Sequence, residues 1–211
     1  MCGAHNGCTL GDLMATQNQA PAPLTEDAAL VDFLGAITSS PAMELEWIDL
    51  LSQLEYVGCR KIVKSIGFES VTLEVLRHVS EEASHAYLLK AVAEEGGIVG
   101  RSWREGRFAE AGWGYFQNLD RRVSALPGSD GLRYPAVSWA IERRVLIVYP
   151  AYLRQSRNES LKKALRRILA QEERHGAQFA DVPFPEGMAA DIARIEEALW
   201  PDFVAAARRR L

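Results

Sequence analysis

The chain is predicted to be all-α: a four-helix bundle with one long crossover connection, flanked by an N-terminal and a C-terminal helix. Three observations predict it. No segment shows the strict apolar–polar alternation of a half-buried strand. Four long stretches carry apolar or special residues at alternating spacings of three and four, which is one face of a helix. The connections between those stretches run short, long, short, the order expected of two helical hairpins joined by a crossover.

The elements follow in order. Residues 1–24 are rich in Gly, Ala, Gln, Asn and Pro, lack periodicity, and read as a flexible tail. The tail holds Cys2-x-x-His5-x-x-Cys8, three soft ligands where a structural zinc site usually has four, so a plain tail is the preferred reading. Residues 25–211 read as a single domain. A short helix is expected from Thr25 as N-cap to about Thr38. Ser40-Pro41 opens a long helix with Pro in the first turn, ending near Gly67, with the seam Ile48, Leu51, Glu55, Gly58, Ile62. A second long helix covers about Ser70 to Glu95 and stops at Gly96-Gly97; its seam is Val71, Val75, His78, Glu82, His85, Leu89, Val92. Residues 96–132 are glycine-rich and form the crossover, with a helix expected from about Phe116 to Ala125. The third long helix runs from Arg133-Tyr134-Pro135 to about Gln155 on the seam Ser138, Glu142, Val145, Tyr149, Tyr152, and Pro150 should kink it or free a carbonyl. The fourth covers about Asn158 to Ala180 with Leu161, Leu165, Ile168, Glu172, His175, Phe179. A last amphipathic helix begins near Glu186 and is expected to break near Pro201.

Composition excludes several classes. The 211 residues are 48% hydrophobic and 25% charged, ordinary for a globular protein. The net charge of −4 gives no support to general nucleic-acid binding. The longest apolar run, Val145 to Leu153, is too short to span a membrane and contains Pro150. The N-terminus does not read as a secretory signal, and three Cys do not make a disulfide framework, so a cytoplasmic protein is expected.

The chemistry lies in placement. Two of the four His have Glu three positions earlier, in Glu82-Ala-Ser-His85 and Glu172-Glu-Arg-His175. Both pairs sit on apolar seams, where an unpaired charge is costly. Glu55 and Glu82 flank the first inter-helix turn at equal distance, and Glu142 and Glu172 flank the second near Arg157, so each hairpin sets one Glu level with one Glu-x-x-His. Four carboxylates and two imidazoles thus face one point, and no Lys or Arg shares the seams. Two divalent cations would compensate that charge, with the His neutral. Mixed oxygen and nitrogen ligation suits iron or manganese and argues against structural zinc.

The order Glu, Glu-x-x-His, Glu, Glu-x-x-His over about residues 42–180 resembles the ferritin-like di-iron carboxylate superfamily, in its oxygen-activating branch. The resemblance implies two Fe ions, or Mn or a mixed Fe/Mn pair, held by Glu55, Glu82, His85, Glu142, Glu172 and His175, with Glu82 or Glu172 bridging. It implies an O2-dependent oxidoreductase that hydroxylates, N-oxygenates or desaturates a small organic substrate. It also implies an external ferredoxin- or flavin-type electron donor, and it is compatible with a homodimer. Storage ferritins lack the second Glu-x-x-His. The radical tyrosine of ribonucleotide reductase small subunits follows the first motif's His by one turn, where this chain has Leu89. Rubrerythrins usually add a Cys-rich iron domain. HVSEEASHAYLL and QEERHGAQF resemble a tRNA-hydroxylase family, for which Arg101, Arg104, Arg107, Arg121, Arg122 and Arg133 are candidate phosphate contacts. Metal storage with ferroxidase activity and tRNA modification are therefore the alternatives.

Neighbouring residues have plainer expectations. Glu44 and Glu46 lie more than two turns from the level of the site. Glu81 and Glu173 are read as solvated or as supports for the ligands. His78 is read as a core histidine bonded to a carbonyl, and Cys59, Tyr149 and Tyr152 as packing residues. The aromatics Trp103 to Phe116 either cover the site or close one side of the bundle.

Overall fold

The computed structural model describes residues 21, 23–68, 71–180 and 182–211; the Cys2, His5 and Cys8 motif lies outside them. Among the described residues there are seven α-helices and no strand: α1 (Ala28–Thr38), α2 (Pro41–Ser65), α3 (Leu73–Glu95), α4 (Ala109–Ser124), α5 (Arg133–Gln155), α6 (Glu159–Ala180) and α7 (Met188–Arg208). None of these helices is long and apolar enough to cross a membrane.

Short polar side chains set the starts of α1, α2, α3 and α6. Asp27 accepts from the Leu30 amide at 2.6 Å, so the N-cap of α1 is Asp27 and not Thr25. Ser40 caps α2 by accepting from Met43, with Pro41 in the first turn. Thr72 caps α3 by accepting from Val75 at 3.2 Å, which leaves the expected seam residue Val71 exposed ahead of the helix. Asn158 accepts from Leu161 at 3.0 Å at the start of α6. At the end of α3, Gly97 adopts φ 109° and Ile98 N–H reaches back to Ala93 O at 3.0 Å, a glycine-dependent stop. Two further expectations need correction. Helix α4 begins at Ala109, seven residues earlier than expected, because Gly112 presses on Leu50 of α2 and packing outweighs glycine's poor propensity. Helix α7 runs through Pro201 without a break, held by buried Trp200, Phe203 and Val204 on either side. Pro150 likewise lies inside a continuous α5.

Helices α2, α3, α6 and α5 pack in a cycle, each against the next and α5 against α2. The pairings are antiparallel. Ser52 Oγ donates to Ala86 O at 2.7 Å while Cys59 Sγ, two turns on, reaches Val79 O at 3.6 Å, which fixes α2 against α3. Across α3 and α6, Glu81 meets Arg174 and His85 meets Gln171. Helices α1, α4 and α7 cover the α2–α5 side of this cycle. Trp47 sits where they converge, with Phe33, Phe108 and Phe203 at ring-centroid distances of 4.9, 5.5 and 5.9 Å. Beside it, Arg144 of α5 donates two hydrogen bonds to Glu196 of α7, at 2.8 and 2.7 Å, and Tyr115 of α4 donates a third at 2.6 Å. That buried set ties three helices together, and the pairing of donors with both carboxylate oxygens is what makes its burial tolerable. The crossover is pinned to α2 by Arg101, which grips Glu46 at 2.7 and 2.8 Å and Asp49 at 3.1 Å.

Candidate metal centre

All six residues singled out from the sequence meet in the space between α2, α3, α5 and α6, and all are buried. His85 Nδ1 lies 2.9 Å from Glu172, 3.6 Å from Glu55 and 3.9 Å from Glu82. His175 Nδ1 lies 3.1 Å from Glu172, 3.4 Å from Glu82 and 4.0 Å from Glu142. Each imidazole therefore turns Nδ1 inward. The outer nitrogens are held by other residues: His85 Nε2 by Gln171 Oε1 at 2.8 Å, and His175 Nε2 by Glu81 Oε2 at 2.9 Å. Gln171 is itself oriented by donating to Glu81 at 3.5 Å. Fixing the outer nitrogen in this way leaves the inner one as the atom that could coordinate a cation. Glu81 thus holds His175 and Gln171 in place, whereas Glu173 is exposed.

Two overlapping groups emerge. Glu55, Glu82, His85 and Glu172 place one ligand atom each within 4.8 Å of one another, and so do His78, Glu82, Glu142 and His175. Glu82 belongs to both. Three buried atoms here lack a hydrogen-bond partner: Glu82 Oε1, Glu142 Oε2 and His85 Nδ1, which Glu172 approaches without hydrogen-bond alignment. Buried polar atoms are rarely left unpaired, and unpaired atoms on three residues of these two groups fit a cation.

The electrostatics of the chain without ions agree. Burial, with the Glu82 and Glu172 charges, pushes Glu55 up to about 7 against the pull of His85. Burial and the neighbouring Glu172, Glu82 and Glu55 carboxylates raise Glu142 well above the usual range. Burial opposes charge on Glu172 too, but the neighbouring Glu142, His175 and His85 overcome it and hold its carboxyl low. Burial also opposes charge on the histidines, yet the carboxylates raise His85 to about 11 and His175 to about 10. Protons thus provide the compensating positive charge that divalent ions can supply.

His78 departs from expectation. Among the described residues no hydrogen bond to a carbonyl holds it. Its Nε2 lies 3.5 Å from Glu82 Oε1, and its ring packs on His175 with centroids 4.0 Å apart. The signal was present in sequence, since His78, Glu82 and His85 share one seam. Only the antiparallel approach of α6 shows what His78 faces. Tyr149 also does more than pack: its hydroxyl donates to Glu55. Cys59 packs as expected, buried against α3. Glu44 and Glu46 lie outside the cluster, engaged with Ser156 and Arg101.

A cavity of about 90 Å³ opens beside the cluster. Glu55, Glu82, Glu142, Glu172 and His78 form one wall, and the rest is mostly carbon from Leu51, Ile62, Phe116, Val137, Ile141 and Val148. Phe116, from the aromatic crossover, closes it on the α4 side, while Trp103 lies against Tyr56 with ring centroids 5.0 Å apart. Gly58 keeps the cavity open, because a Cβ there would come within 2.7 Å of Glu82 Oε2. Of the arginines considered for nucleic acid, Arg101 is engaged by Glu46 and Asp49 and Arg133 by Asp120.

Compared with known proteins, the chain matches no family model, no curated protein and no solved structure.

Proposed function

We propose that this protein is a non-haem di-iron enzyme of the ferritin-like type, whose α2, α3, α5 and α6 form the four-helix bundle and which uses O2 to oxidise a small organic substrate. The observation that carries the proposal is the pair of buried Glu/His groups sharing Glu82, with unpaired polar atoms on Glu82, Glu142 and His85 and an apolar cavity lined by the same carboxylates. Glu55, Glu82, His85, Glu142, Glu172 and His175 would hold the ions, and manganese could replace one or both irons. The bound pair would supply the redox chemistry with O2.

The chain's own groups have separate tasks. Gln171 and Glu81 hold the two imidazoles with Nδ1 inward. Glu142 lines the cavity as well as belonging to the cluster, so a bound molecule would lie directly against the metal-holding carboxylates. Tyr149 donates to Glu55 and fixes that carboxylate's orientation. The carbon-lined wall binds the substrate's apolar part and excludes water, which strengthens every charge interaction inside. An external ferredoxin- or flavin-type donor would supply the electrons. The apolar cavity beside the cluster favours substrate oxidation over storage. The test is anaerobic loading with Fe(II), followed by mixing with O2 in a stopped-flow spectrometer. Uptake of O2 with an iron-dependent absorption change is expected; loaded protein inert to O2 would refute the proposal.

A further inference from the structure

We propose that His78 is a seventh ligand, so that the two metal positions are chemically unequal. The inference rests on the di-metal reading and goes beyond its six-residue pattern. Helices α3 and α6 carry matching Glu-x-x-His pairs, but four residues before the Glu the match ends: α3 has His78 and α6 has Ile168. Because the helices are antiparallel, the turn of α3 that precedes Glu82 lies against the turn of α6 that contains and follows His175. His78 accordingly sits 4.0 Å from His175 and 5.7 Å from Phe179, centroid to centroid.

Its placement is that of a ligand. The side chain is buried, lines the cavity, and lies within 4.8 Å of one ligand atom each from Glu82, Glu142 and His175. Its Nε2 lies 3.5 Å from Glu82 Oε1, one of the orphans, without a hydrogen bond. A cation between them would serve both. One position then has three carboxylates and one imidazole, from Glu55, Glu82, Glu172 and His85. The other has two of each, from Glu82, Glu142, His78 and His175. Carboxylate-rich sites suit manganese, and imidazole favours iron, cobalt and later ions. The nitrogen-rich position is therefore the one that holds such an ion more tightly, and His78 is what makes it so.

The experiment is anaerobic titration with Co(II), followed by visible absorption and by metal counting after gel filtration. It compares wild type with His78→Ala and His78→Phe. The phenyl ring keeps the packing on His175 and Phe179 but cannot coordinate. Wild type is expected to bind about two Co(II) per chain with unequal affinity. Both variants should weaken the tighter of the two by at least tenfold and lose part of the ligand-field absorption, while the melting temperature of metal-free His78→Phe stays near wild type. Retention of both cobalt ions at wild-type affinity by either variant overturns the inference and leaves the di-metal reading standing. A wild-type chain that binds no cobalt overturns both.

Discussion

Gly58→Ala separates the stability of α2 from the geometry of the candidate site. Replacing a helix-interior glycine by alanine ordinarily stabilises by about 0.5–1 kcal/mol, through lost freedom of the unfolded chain. Here the new methyl would lie 2.7 Å from Glu82 Oε2, and restoring an ordinary contact of 3.4 Å moves that oxygen by about 0.7 Å. Glu82 Oε2 ends a flexible side chain, so the fold can absorb the shift. A metal site cannot, because its ligand distances tolerate only about 0.2 Å. The variant should therefore melt at or up to roughly 4 °C above wild type when metal-free. It should also lose at least about tenfold in metal affinity, or about 1.4 kcal/mol. Gly114→Ala is the control: a Cβ there meets nothing within 4 Å, so it should gain stability and leave metal binding alone. Circular dichroism melting in chelator and anaerobic Fe(II) titration measure the two effects. Wild-type iron affinity in Gly58→Ala would refute the role assigned to Glu82.

Three further predictions follow from other parts of the molecule. Arg144→Ala strands Glu196 and should destabilise the chain by about 3–5 kcal/mol, whereas replacing Arg144 and Glu196 together by Met and Leu should cost much less; urea denaturation compares them. Glu81→Ala removes the partner of His175 Nε2 and should weaken iron binding about 10–100-fold with little effect on metal-free melting, read by the same titration. Arg101 and the Arg107 amide hold the Glu46 carboxyl below the usual range against the opposing effect of burial, and Arg133 and Lys61 do the same for Asp120. A lowered folded-state value contributes stability above the unfolded value and loses it as pH falls. Amide exchange of residues 101–108 should therefore accelerate below about pH 4, ahead of α2 and α3; uniform exchange across the chain would contradict this.

The long helices and the six seam residues were legible because both signals are local. A helical period exposes which residues share a face, and equal distance from a turn puts facing residues at one height. What escaped depended on contacts between helices distant in sequence. His78 matches no expected ligand position in the sequence; only the approach of His175, ninety-seven residues away, shows that its ring faces the cluster. Arg144 lies off the seam of α5, and its burial makes sense only once α7 presents Glu196. Pro201 and the glycines of α4 predicted breaks by propensity, yet Trp200, Phe203 and the Gly112–Leu50 contact keep those helices continuous. Thr25 and Asp27 are both good caps, and only the reach to the Leu30 amide distinguishes them.

Metal content tests the central claim most directly. Purified protein is stripped with chelator, reloaded anaerobically with excess Fe(II), desalted and counted by mass spectrometry, beside Glu82→Ala. Because Glu82 belongs to both ligand groups, the account predicts about two irons per chain in wild type and loss of both in the variant. A wild-type chain that retains no iron, or a Glu82→Ala chain that retains two, would contradict it.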